Sequence, residues 1–160
     1  MIKVQSKIKI KSESEKIWSF LNNPSLVLSF NRFHKKIDIQ DSFSINIDKK
    51  ITIQHNFGFG LYDMELSVVD IFPNNKIIFE ERAIKEKDQL FNHKTTFEIK
   101  EKNNRICELN CTVEGSFKNK FADLSFKPIL KGVILDELIK IKLAIESSDI
   151  DMNHRHYKPV

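Results

Sequence analysis

Residues 107–146 read CELNCTVEGSFKNKFADLSFKPILKGVILDELIKIKLAIE. The first eight residues alternate: Cys107, Leu109, Cys111 and Val113 share one side, and Glu108, Asn110, Thr112 and Glu114 the other. That is the period of a strand with one buried face. From residue 120 the period changes. Leu130, Ile134, Leu138, Ile141 and Ile145 recur at helical spacing, joined by Phe121, Leu124, Ile129 and Val133, with Lys131, Asp136, Glu137, Lys140 and Glu146 assigned to the far side. At ~1.5 Å per residue a helix over 120–146 is about 40 Å long. Pro128, followed one turn later by Gly132, predicts a bend or a detached first turn. A strand with one dry face thus runs directly into a long helix with one dry face.

The same alternation opens the chain. Ile2, Val4, Ser6, Ile8 and Ile10 oppose Lys3, Gln5, Lys7, Lys9 and Lys11 over residues 2–11. Ser12 and Glu15 then have the spacing of a capping box, and Ile17, Trp18, Phe20 and Leu21 predict a short helix. Asn23-Pro24 ends it and starts a second, reaching about Asn31, with Asn as N-cap and Pro in the first turn. Strands follow at 34–47 (with a break at Asp41-Ser42), 50–57, 61–72, 75–86, 89–100 and 104–117. Between them stand Gly58 and Gly60, Pro73-Asn74-Asn75, Lys87-Asp88 and Asn103-Asn104. Tyr62, Met64, Leu66 and Val68 fall on one face of their strand, as do Phe91, His93, Thr95, Phe97 and Ile99 of theirs. The order of strand, two short helices, six strands and long helix predicts an α+β helix-grip fold. In it a seven-stranded curved antiparallel sheet wraps the C-terminal helix, the one element able to cover the dry face. Residues 1–147 make this domain, and 148–160 read as a polar, flexible tail.

Composition agrees. The chain has 160 residues, 41% hydrophobic and 30% charged, enough for one core that buries roughly 70% of the unfolded surface. Four Gly, four Pro and two Cys exclude collagen-like, low-complexity and disulfide-scaffold classes. No apolar run approaches the ~18–20 residues of a membrane span, and the start Met-Ile-Lys-Val-Gln has no apolar leader, so a soluble cytoplasmic protein is expected. The net charge of +4 comes from 26 basic and 22 acidic residues. The lysines are dispersed along strands, the arrangement of a solvated sheet face and not of a nucleic-acid surface. Cys107 and Cys111 lie about 13 Å apart on one strand at ~3.3 Å per residue, too far to bridge. They read as buried reduced thiols.

The stretch Ile8-Lys-Ile-Lys-Ser-Glu-Ser-Glu-Lys-Ile-Trp-Ser-Phe-Leu-Asn-Asn-Pro24 resembles the first strand and helix of the START-like helix-grip (SRPBCC) superfamily. Leu61–Pro73, ending Val-Val-Asp-Ile-Phe-Pro, is similar to its mid-sheet strand and turn. The spacing is nearest to the polyketide cyclase/dehydrase-like and carbon-monoxide dehydrogenase G-subunit-like branches, over residues 2–147. Phe57-Gly58-Phe59-Gly60 is shorter than the glycine-rich loop of the plant allergen branch, so phosphate cradling is not expected. The resemblance implies a cavity between sheet and helix for a hydrophobic or amphipathic molecule: a lipid, an isoprenoid or a polyketide-like compound. Two alternatives are a cyclase or dehydratase using the same cavity and an accessory or assembly protein of the dehydrogenase-associated type with a protein partner.

The aromatic content fits such a cavity. Of 13 Phe, Phe57, Phe91, Phe97, Phe117, Phe121 and Phe126 fall on dry strand positions or at the start of the long helix. The expected ligand-binding set is His55, Phe57, Tyr62, Met64, Phe79, Phe91, His93, Phe97, Phe117 and Phe121, with His55, His93 and Tyr62 orienting the polar end. Inward histidines can orient a ligand, act as acid and base, or hold a metal with a carboxylate such as Glu81. Glu81 lies on a strand of ambiguous parity, with Ile77, Phe79 and Ala83 on its side but Ile78 and Ile84 against. No catalytic residue, metal or cofactor is therefore assigned. His154-Arg155-His156 reads as a tail without a role.

Overall fold

The structure is a computed structural model that describes residues 1–38, 45–47, 49–85, 90–103 and 105–155. Its elements are β1 (Ile2–Ile10), α1 (Ser14–Leu21), α2 (Pro24–Val27), a 3₁₀ turn at Leu28–Phe30, β2 (His34–Asp38), β3 (Lys50–Asn56), β4 (Leu61–Phe72), β5 (Lys76–Ala83), β6 (Asn92–Asn103), β7 (Ile106–Ser116) and α3 (Lys120–Arg155). The seven strands form one antiparallel sheet in the order β1-β7-β6-β5-β4-β3-β2. The sheet curls round α3, which packs on β1 and β7. This is the α+β helix-grip architecture read from the sequence. The expected break at Asp41-Ser42 and turn at Lys87-Asp88 lie outside the described residues. Among the described residues no helix is long and apolar enough to cross a membrane.

The core forms where the two dry faces meet. Ile53, Met64, Leu66, Ile77, Phe79, Phe97, Leu109 and Cys111 come from the sheet, and Phe126, Leu130, Ile134, Leu138, Ile141 and Ile145 from α3. The inward stripe of α3 differs from the predicted one. Phe121, Leu124 and Ile129 are 84%, 73% and 55% exposed, whereas Glu137 is buried. Helical phase explains both results. At about 100° per residue, Phe121 stands half a turn out of register with Leu130, while Glu137 lies three residues after Ile134 and four before Ile141. Phe121 is accordingly no part of the interior.

Other local details also depart from expectation. Ser12 does not cap α1. Glu13 occupies that position without a side-chain cap, and Ser14 Oγ donates to Glu101 of β6. Asn23 does cap α2, accepting from Leu26 N at 3.3 Å, but the helix gives way to the 3₁₀ turn after Val27. Helix α3 runs unbroken through Pro128 and past residue 147 to Arg155. Pro128 removes one bond, to the carbonyl of Leu124, on the exposed side where water can take it. No Gly or Pro stands between Gly132 and Pro159 to stop the helix. Residues 156–160, including His156, lie outside the described residues.

The start of α3 is built from polar side chains. Asn119 Oδ1 accepts from Phe121 N at 3.0 Å and Ala122 N at 3.2 Å. Asp123 Oδ1 accepts from Phe117 N and Oδ2 from Ser116 Oγ, both at 2.9 Å. This arrangement satisfies orphan donors at the helix start and fixes the corner where β7 turns into α3.

One glycine sets the spacing between β6 and β7. A Cβ on Gly115 would lie 2.5 Å from Asn92 O and from His93 Cβ, and 2.8 Å from Phe91 Cζ. Gly132, exposed on α3, has nothing within 4 Å of such an atom. Gly115→Ala is expected to lower stability by about 1–3 kcal/mol through overpacking, and Gly132→Ala to raise it by about 0.5–1 kcal/mol through helix propensity. Urea unfolding of the two variants checks both signs.

Candidate functional site

Glu81 is the centre of the site. It sits on the dry face of β5 with Ile77 and Phe79, which settles its parity, and is 3% exposed. Three imidazoles converge on its carboxylate. His55 Nε2 of β3 lies 2.6 Å from Oε2, His34 Nε2 of β2 lies 3.6 Å from the same oxygen, and His93 Nε2 of β6 lies 3.5 Å from Oε1. The side-chain ligand atoms of His34, His55 and Glu81 all fall within 4.8 Å of one another.

Local structure aims each ring. His34 and His55 are direct partners in the β2–β3 ladder, and the ladder shifts register between His34 and Lys36. Such irregularities re-aim a side chain. Asn31 starts the strand: its Oδ1 accepts from Phe33 N at 3.0 Å, and its Nδ2 donates to Glu137 Oε2 at 3.2 Å. The far nitrogen of His34, Nδ1, meets Leu28 O at 2.7 Å, and Nδ1 of His93 meets Phe91 O at 2.8 Å. His55 stacks on Phe57 with centroids 5.0 Å apart, and His93 stacks on Phe91 at 4.9 Å.

The charges of the cluster are strongly coupled. Burial disfavours the Glu81 carboxylate, but His93, His55 and His34 outweigh it and hold its pKa well below the ordinary range. Burial lowers His34, yet Glu81 reverses this and its pKa is raised; for His55 burial prevails over Glu81, helped by the other two imidazoles, and the pKa is lowered. Glu137 is pushed up to about 7, first by burial and then by Glu81. The 2.6 Å contact of His55 with Glu81 is a close ion-pair approach without hydrogen-bond geometry. Both nitrogens of His55, Nε2 of His34 and Oε2 of Glu81 are buried without a hydrogen-bond partner among the described residues.

An aromatic layer lies against the cluster. Phe33, Phe57, Phe91, Phe117 and Phe126 pack with centroid separations of 5.0 to 6.2 Å. Beyond it opens a cavity of about 370 Å³ lined by Phe57, Phe59, Phe117, Phe126 and Ile129 together with Ala122, Asn119 and Ser125. Of the expected ligand-binding residues, Phe57 and Phe117 face this cavity, His55, Phe91 and His93 lie behind it, and Tyr62 hydrogen-bonds Phe59 O at 3.3 Å beside it. Met64, Phe79 and Phe97 are fully buried in the sheet core. Phe121 is exposed and stands apart. His34 and Glu137 are the residues sequence reasoning missed. The i, i+3, i+7 placement of Glu137 with Ile134 and Ile141 was a readable signal, whereas the register shift that turns His34 inward was not.

No family model and no curated protein matches the chain. Solved structures do. A conserved protein from Geobacillus kaustophilus superposes with a TM-score of 0.70 at 19% identity, covering 92% of this chain and 97% of that one. A norcoclaurine synthase from Thalictrum flavum, a point mutant in complex with a transition-state analogue, gives 0.69 at 11% identity, covering 92% and 96%. The Zhui aromatase/cyclase from a Streptomyces gives 0.65 at 8% identity, covering 91% and 93%. At these identities the likeness defines the fold alone, a curled antiparallel sheet around a long C-terminal helix shared with the synthase and the aromatase/cyclase.

Glu137 yields a test of the cluster's electrostatics. The folded chain holds this proton more tightly than the unfolded chain, whose pKa is near 4.5. Its contribution is therefore fully favourable below 4.5 and is lost as pH rises through about 7. Glu137→Gln keeps an acceptor for Asn31 and removes the buried charge. It is expected to leave stability at pH 4.5 nearly unchanged and to raise it at pH 8.5 by up to about 3 kcal/mol. Denaturant midpoints at the two pH values decide it.

Proposed function

We propose that this protein binds a hydrophobic or amphipathic small molecule between the sheet and α3, with its apolar body in the aromatic cavity and its polar end toward His55 and His93. The observation that carries this reading is the cavity of about 370 Å³ whose walls are Phe57, Phe59, Phe117 and Phe126 and whose floor backs onto buried imidazoles. Its volume lies at the lower end of the range for small-molecule sites, about 300–1,000 Å³. A compact lipid, isoprenoid or aromatic polyketide fits that size class better than a long acyl chain. Burial at roughly 0.8 kcal/mol per CH₂ supplies affinity, and the imidazoles supply orientation. The polyketide cyclase-like fold supports the same reading, and the two free buried thiols suit a reducing cytoplasm as its setting.

A second reading makes the site a cyclase or dehydratase. It is favoured by one observation, that His34 and His55 are pushed in opposite directions around one carboxylate, as an acid and a base need. Exchange of His34 and His55 for Gln would then abolish turnover.

Binding is tested by thermal shift and native mass spectrometry with medium-chain fatty acids, isoprenoids and aromatic polyketides. At least one class is expected to stabilise the chain. Phe59 is 57% exposed, so Phe59→Ser leaves the core intact. That variant is expected to weaken binding about tenfold or more, the loss of one partly buried aromatic wall. No stabilisation by any class overturns the proposal.

A further inference from the structure

We infer that His34, His55 and Glu81 form a binding site for one divalent first-row transition-metal ion, with His93 packed beside the second carboxylate oxygen. The first argument concerns tautomers. Nδ1 of His34 lies 2.7 Å from Leu28 O, and Nδ1 of His93 lies 2.8 Å from Phe91 O. A carbonyl oxygen only accepts, so Nδ1 carries the proton and, in the neutral ring, Nε2 presents its lone pair. The neutral ring of His34 then aims a lone pair at Glu81 Oε2, acceptor against acceptor. A cation between them removes the conflict. Backbone carbonyls that fix the far nitrogen of an imidazole are the customary support of a metal-ligating histidine.

The second argument is distance. Two ligands at about 2.0–2.1 Å from a tetrahedral ion stand about 3.3 Å apart. His34 Nε2 and Glu81 Oε2 are 3.6 Å apart, close to that separation without rearrangement. His55 Nε2, at 2.6 Å from the same oxygen, is nearer than a shared ion allows and must withdraw by about 0.7 Å as the ion enters. The third argument is need: His34 Nε2, His55 Nε2 and Glu81 Oε2 are buried without a hydrogen-bond partner among the described residues, and one coordinating ion would satisfy all three. Two imidazoles and a carboxylate suit Zn²⁺, Fe²⁺ or Co²⁺ and not Ca²⁺ or Mg²⁺. With three protein ligands, such an ion keeps a position open toward water or a ligand's polar end. Strand β2 is the sheet's edge, so one ligand, His34, is carried by the marginal strand while Glu81 lies three strands further in.

The test uses chelator-treated full-length protein without any organic ligand, so its result is independent of the proposed cavity. Zn²⁺ is titrated in competition with a chromophoric chelator, and Co²⁺ is followed by its visible d–d bands. One ion per chain is expected, with nitrogen–oxygen Co²⁺ bands and no thiolate charge-transfer band from Cys107 or Cys111. His34→Gln and His55→Gln are expected to weaken Zn²⁺ binding by about 100-fold or more, and His93→Gln by about 10–100-fold. A His154→Gln/His156→Gln variant is expected to keep the site intact. Because a variant in the cluster could unfold, the wild-type Co²⁺ spectrum stands as a separate criterion. Absence of a stoichiometric ion in the wild type overturns the inference. So does an affinity that depends on His154 and His156 but not on His34 and His55.

Discussion

Burying the Glu81 carboxylate is the constraint around which this interior is organised. A lone carboxylate in a core would be far too costly to keep ionised, and it is kept only because positive or polar groups reach it from every side. Here the compensation comes from three separate strands, β2, β3 and β6, each of which brings one imidazole to the carboxylate. Each contributor must hold its backbone in register to keep its ring on target. The order of the sheet follows the same logic, since β3, β4, β5 and β6 are adjacent and β2 extends them by one strand.

The aromatic layer separates this polar centre from the outside. Phe57 has His55 stacked on it and belongs to the wall of the outer cavity, while Phe91 has His93 stacked on it and touches Phe117 and Phe126. A low-dielectric screen of this kind strengthens every electrostatic interaction behind it. Apolar recognition at the mouth and polar chemistry at the base are therefore separated by a single ring thickness.

Much of the architecture was legible because it rests on period. Clean alternation in β1, β4, β6 and β7 and the change to helical spacing after residue 120 specify a sheet with one dry face and a helix to cover it. The inward positions of His55, Phe57, Phe91, His93 and Phe97 follow from that parity alone. What could not be read was anything that interrupts a period. Glu81 looked ambiguous because β5 carries apolar residues on both faces, and the register shift between Val68 and Asp70 on the neighbouring strand adjusts the pairing there. His34 enters the site through a similar shift in β2. Phe121 was misplaced for a different reason: apolar residues occur on two sides of α3, and composition does not say which side is inside. Phase does, since Leu130 and Ile134 fix it.

The two thiols of β7 give the fold an internal clock. Cys107 and Cys111 are buried, and burial raises both above the ordinary thiol range, Cys111 most of all. An alkylating reagent attacks the thiolate, so neither sulfur reacts while β7 stays seated between β1 and β6. The pace of their modification therefore records how often β7 parts company with the helix and its neighbouring strands, a breathing motion that ring contacts and distances alone do not time.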